Sequence, residues 1–143
     1  MSYIWILYAL LSAIMAALVA IFGKIGLQGI DTNTATAIRS VVMALFLIAL
    51  IAFQGKFHNI KPILDNHKAL TFIIFSGLAG ALSWLFYFIA LKNAKVSQIV
   101  PIDRMSVVFA LLFAFFILGE KITIKAGIGA ILMVIGGILI ALS

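Results

Sequence analysis

Residues able to do chemistry are few in this chain, and most of them fall between apolar runs. Its 143 residues include four carboxylates, Asp31, Asp65, Asp103 and Glu120, ten Lys and Arg, two histidines and no cysteine. Without a thiol there is no disulfide, no thiolate nucleophile and no Cys-based zinc or iron–sulfur site. His58 and His67 lie outside the apolar segments, so neither a metal nor a cofactor is expected. What remains is non-covalent chemistry by a few placed side chains. Asp103 and Arg104 adjoin the edge of a long apolar run, Arg39 lies inside another, and Lys24 follows a third. Asp103 could bind a cation or a proton, with Arg104, Arg39 and Lys24 setting the electrostatics of a cavity. Trp84 and Tyr87 could offer aromatic surface to an organic molecule or cation.

The elements that must position these residues follow from composition. Hydrophobic residues make up 66% of the chain and charged residues 10%, against roughly a quarter charged in an ordinary soluble domain. A soluble fold of this size could not hide so much apolar surface, which excludes a soluble enzyme. The formal charge of +6 is spread singly between apolar blocks rather than gathered in a run, so nucleic acid is not an expected partner.

A hydrocarbon core about 30 Å thick needs roughly 20 helical residues. Five stretches fit, near Tyr3–Phe22, Thr34–Phe53, Ala69–Leu91, Val96–Leu118 and Ala126–Leu142. The fold class is therefore all-α and integral to the membrane, as one domain over residues 1–143. The first stretch reads as a retained helix rather than a signal peptide, because its apolar run is too long and the amino terminus is the only positive charge before it. Within the fourth, the uninterrupted run Met105–Leu118 has 14 residues. That is about 21 Å, too short to cross alone. The spanning helix must take in Asp103 and Arg104, one to two turns inside a boundary, with Pro101 freeing a carbonyl or beginning the helix proper.

An ionisable side chain within a span costs at least about 2.5–3.5 kcal/mol on insertion scales and is a functional candidate for that reason. Adjacent helical residues point about 100° apart, so Asp103 and Arg104 cannot easily satisfy each other; Arg39 or Lys24 is the expected partner of Asp103. The competing reading is that Arg39, five residues into its span, and Lys24, beyond its helix end, snorkel to the interface. In the third span Ser76, Gly80, Ser83 and Tyr87 share one stripe. They form either the wall of a substrate path or a small-residue packing face. Ala9, Ala13, Ala16 and Ala20, and Gly129 with Gly136 and Gly137, read first as packing surfaces.

Positive charges divide evenly between the two sides. Lys56, Lys61, Lys68, Lys121 and Lys125 fall with the amino terminus; Lys24, Arg39, Lys92, Lys95 and Arg104 fall opposite. Setting aside the two arginines inside helices leaves a weak preference for a cytoplasmic amino terminus. An odd number of spans also means that a duplicated chain would carry oppositely oriented halves, as in inverted-repeat transporters.

The segment Lys24-Ile-Gly-Leu27, Arg39, and Leu118-Gly-Glu-Lys121 leading to Gly127 and Gly136-Gly137 resemble the EamA family of the drug/metabolite transporter superfamily over nearly the whole chain. The resemblance implies one five-helix half of a ten-helix inverted-repeat fold. It also implies transport of small organic metabolites or drugs by alternating access, from an inner (plasma) membrane location. The expected partners are the bilayer, a small-molecule substrate and a second half, either another copy in an antiparallel homodimer or a similar half-sized chain. Span one has no acidic residue, unlike the four-span multidrug exporters whose first helix carries a membrane Glu. The alternative function is a non-transporting membrane subunit that stabilises a larger complex through its Ala and Gly faces.

Overall fold

A computed structural model describes residues 3–143, and all regular structure among them is helical. Seven α-helices follow in order: α1 Ile4–Gly26, α2 Thr32–Phe53, α3 Ile60–Asp65, α4 His67–Asn93, α5 Val96–Asp103, α6 Ser106–Leu118 and α7 Ile124–Ala141. A 3-10 turn, Lys56–Asn59, precedes α3. Five segments are long and apolar enough to cross a membrane: α1, α2, α4, α5 with α6 taken as one span, and α7. The chain is a multi-pass membrane protein of five spans.

Helix limits follow local chemistry. Asp31 caps α2, its carboxylate accepting from the Thr34 N–H at 2.8 Å and the Thr34 hydroxyl at 2.9 Å, which satisfies donors the helix leaves unpaired. Because Asp31 is the cap, α2 starts two residues before the Thr34 expected from hydropathy. Thr123 caps α7 through the Ala126 N–H at 3.2 Å. Gly119 ends α6 at φ 69°, a left-handed position where the lack of a Cβ matters.

The fourth span differs from the continuous helix expected. It contains Asp103 and Arg104, but α5 stops at Asp103 and α6 begins at Ser106. Across the break the ladder tightens to three-residue steps, Met105 N–H to the Ile102 carbonyl at 3.0 Å and Val107 N–H to the Arg104 carbonyl at 3.2 Å. Pro101 lies inside α5 and has no N–H to give, which weakens the helix just before the interruption.

The chain forms two compact units. One joins the first helix, up to Ile25, with Asn93–Ser143; the other is Gly26–Lys92. In the first unit α5 packs on α7. Their backbones approach closely at Gly137, where an added Cβ would sit 3.2 Å from the Pro101 carbonyl oxygen. The second unit contains α2, the 3-10 turn, α3 and α4. Its polar link carries Lys56, Lys61 and Lys68 beside exposed Phe57, Ile60 and Ile63.

Of the small-residue faces expected to pack, Gly137 is buried against α5, whereas a Cβ added at Gly80, Gly129 or Gly136 would meet nothing within 4 Å. Ser76 and Ser83 are exposed, and along α1 Ala9 and Ala13 are exposed while Ala20 is buried. Within each span only 6% of the most apolar stretch is buried inside the chain.

Candidate functional site

The second unit holds a cluster built on one cation. Arg39 is the eighth residue of α2, about 10 Å along the helix from its start. Its guanidinium lies over the Trp84 ring, 3.7 Å from the centroid, and 5.3 Å from the centroid of Phe88. Trp84 in turn meets Tyr87 edge-on at 5.5 Å and Phe88 at 5.7 Å. Trp84 and Phe88 are four residues apart on α4 and so share a face; Phe88 is 3% exposed. A cation away from water is stabilised by ring quadrupoles, and a planar guanidinium can stack as well. This is how α4 accommodates Arg39 without a carboxylate beside it.

The same two helices, α2 and α4, border an open groove of about 310 Å³ lined on one side by Asn33, Thr36 and Ser40 and on the other by Leu78, Leu82 and Leu85; Arg39 and Trp84 are not among its lining residues. The two α2 hydroxyls that line the groove already donate to their own helix. Thr36 bonds the Thr32 carbonyl at 2.8 Å, and Ser40 bonds the Thr36 carbonyl at 2.9 Å. Such back-bonding removes the donor and leaves oxygen lone pairs. Thr32 and Thr36 are the buried polar residues of the helix.

The two lysines near helix ends hold backbone carbonyls. Lys24, in the last turn of α1, donates to the Ala94 carbonyl at 2.8 Å in the first unit. Ala94 follows the last residue of α4, where unpaired carbonyls and the helix dipole favour a cation. Lys92 donates to the Ile30 carbonyl at 3.1 Å in the second unit.

Of the six residues singled out from sequence, Arg39, Trp84 and Tyr87 come together in the second unit, and Lys24, Asp103 and Arg104 belong to the first. Asp103 and Arg104 are exposed at the α5–α6 break. Arg39 and Lys24, expected beside Asp103, are engaged by Trp84 and by the Ala94 carbonyl respectively. Sequence reasoning missed Phe88 as the second ring under Arg39. The signal was present, because Phe88 repeats the Trp84 face one turn on, but nothing in the sequence says that α2 lies against that face.

With this geometry in view, comparison with known proteins is decisive at the family level. The model of the EamA-like transporter family matches residues 3–142. The chain belongs to the EamA-like transporter family. A Sinorhizobium sp protein named "Uncharacterized transporter in cobO 3'region" is 38% identical over 141 residues, covering 99% of each chain. An uncharacterized protein of Methanocaldococcus jannaschii is 28% identical over 138 residues, covering 96% of each. Both relatives match this EamA-like chain nearly end to end. No solved structure matches it. Membership supports a membrane transporter of some kind.

Proposed function

We propose that this EamA-like chain carries small organic metabolites across the inner (plasma) membrane by alternating access, acting as a dimer of five-span halves. The observation that carries this reading is Arg39, held two turns inside α2 on the face of Trp84. Ionisable residues at such depth are costly, and in transporters they mark solute paths. The fourth span supports it, since the ladder tightens to three-residue steps between α5 and α6, and such mid-helix irregularity often marks a functional hinge. The second half is argued from the open small-residue faces at Gly80, Gly129 and Gly136, which allow close helix approach and where an added Cβ would meet nothing within 4 Å among the described residues. Substrate-binding roles fall to Arg39, Trp84 and Tyr87, and coupling to Asp103 with Arg104 and Lys24.

The test is solute flux by the purified protein alone in liposomes, read by mass spectrometry on a mixture of isotope-labelled metabolites. Accumulation of one class above protein-free liposomes supports transport, and Arg39→Gln should lower it by at least about tenfold. The same open faces also suit the second reading, a subunit that stabilises a larger complex. Absence of flux for every class, with stable capture of a larger membrane partner from native membranes, would replace transport by that reading.

A further inference from the structure

Arg39 has a feature that stacking on Trp84 leaves unexplained. Rings engage the face of a guanidinium, but its five N–H donors radiate in the plane. Among the described residues of the second unit no carboxylate or carbonyl accepts from them: Asp31 is committed to Thr34, and the groups packed on the guanidinium are the Trp84 and Phe88 rings of α4. Donors in a poorly hydrated setting need acceptors. The Thr36 and Ser40 hydroxyls donate to carbonyls of their own helix and keep oxygen lone pairs, but neither receives a hydrogen bond from Arg39. Within the second unit, then, the edge of the guanidinium is left to an acceptor that α2 and α4 do not supply. A planar fork of donors held over an indole, 3.7 Å from its centroid, is matched best by a carboxylate or phosphate, which takes two parallel hydrogen bonds.

A groove between the same two helices, α2 and α4, suggests the rest of the ligand. Thr36 and Ser40 flank Arg39 in sequence, and Leu82 and Leu85 flank Trp84; at about 310 Å³ the groove lies at the small end of ligand sites. It can take a short apolar body attached to the anionic group. We propose that the edge of the Arg39 guanidinium, with Trp84 behind it, binds the carboxylate or phosphate of a small organic anion, and that this is the class of solute carried. The inference rests on the transport reading for its second half, whereas the oxyanion site stands on the Arg39 geometry. An oxyanion at this place could come from a soluble solute or from a phospholipid headgroup, so the experiment separates the two.

Trp5 and Trp84 are the two tryptophans, so Trp5→Phe leaves Trp84 as the sole indole emitter. This variant is purified in dodecyl maltoside, which contains no phosphate, and titrated with hexanoate and glycerol phosphate, then with hexanamide and hexylamine. The expected result is a saturable change in Trp84 emission with the anions and none with the amide or amine. Arg39→Gln should weaken anion binding about ten- to hundredfold and Arg39→Lys less. Should Arg39→Gln fail to fold, Arg104→Lys leaves Arg39 as the sole arginine, and the anions should protect it from phenylglyoxal. Equal response to hexanamide or hexylamine, or no response to either soluble anion, overturns the proposal. So does a response to phosphatidylglycerol alone, which makes Arg39 a headgroup anchor. Failure of the two readings is distinguishable: anion binding without flux in liposomes strikes transport and leaves the site. Flux of neutral or cationic solutes without anion binding strikes the site and leaves transport.

Discussion

At the residue scale, the guanidinium of Arg39 and the carboxylate of Asp31 show two ways in which a charge is kept at a helix. Arg39, inside a span, is stabilised by the Trp84 face. A cation–π contact contributes roughly 0.5–2 kcal/mol, depending on desolvation. Trp84→Leu should therefore lower the melting temperature in detergent and Trp84→Phe should recover part of the loss; equal loss in both would remove the π-face argument. Asp31 is exposed outside the span, and hydrogen bonding from the Thr34 N–H, then from the Thr34 hydroxyl, lowers its carboxyl below the ordinary value. A depressed carboxylate stabilises the fold above the unfolded-state value, and that contribution is lost as pH falls through the lowered one. The melting-temperature difference between the native chain and Asp31→Ala should be full at neutral pH and disappear in acid. A difference unchanged into strong acid would mean that Asp31 acts without its charge. Coupling through Asp103 predicts that Asp103→Asn abolishes uptake driven by a pH gradient; unchanged uptake would assign the exposed carboxylate to the α5–α6 break alone.

At the element scale, the glycines of α7 are physically unlike one another. Gly137 faces the Pro101 carbonyl, where an added Cβ would make a contact at 3.2 Å that requires the neighbour to shift, whereas Gly129 and Gly136 face open space. Gly137→Leu should force α5 from α7 and destabilise by about 1–3 kcal/mol, the usual range for overpacking. Gly129→Ala should be neutral or slightly stabilising in the isolated chain, because it raises helix propensity at no steric cost. Thermal unfolding in detergent checks both. If Gly129→Ala lowers crosslinking between copies in membranes while leaving that unfolding unchanged, the open face belongs to an interface. The stripe arithmetic found the small residues of α7 but could not say which would meet a neighbour. A glycine at helical spacing looks the same from sequence whether it touches backbone, lipid or another copy.

At the scale of the whole molecule, the balance of positive charge bears on orientation. With five Lys and Arg on each side, neither orientation is strongly favoured, and an antiparallel pair of identical five-span halves is the arrangement that uses both. Asn59 lies exposed at the end of the 3-10 turn in the polar link, and the chain has no cysteine. Asn59→Cys, labelled in intact cells with a membrane-impermeant thiol reagent, should react to about half the extent reached after permeabilisation if both orientations coexist. Labelling from one side alone would fix a single orientation and direct attention to a separate half-sized partner.

The number of spans, their approximate limits and the family were legible in the sequence, because hydropathy, length and the need to satisfy every backbone group in lipid leave few alternatives to helices. Arg39, Trp84 and Tyr87 were also legible as candidates, since a cation and large aromatics in apolar runs are conspicuous. Tertiary structure decided what each meets. It set Arg39 on Trp84 and Phe88, gave Lys24 to the Ala94 carbonyl, and broke the fourth span after Asp103. Hydropathy is a property of single residues summed along the chain. Ring stacking, carbonyl capture and backbone approach depend on which helix faces are brought together, and that information is carried only by the packed structure.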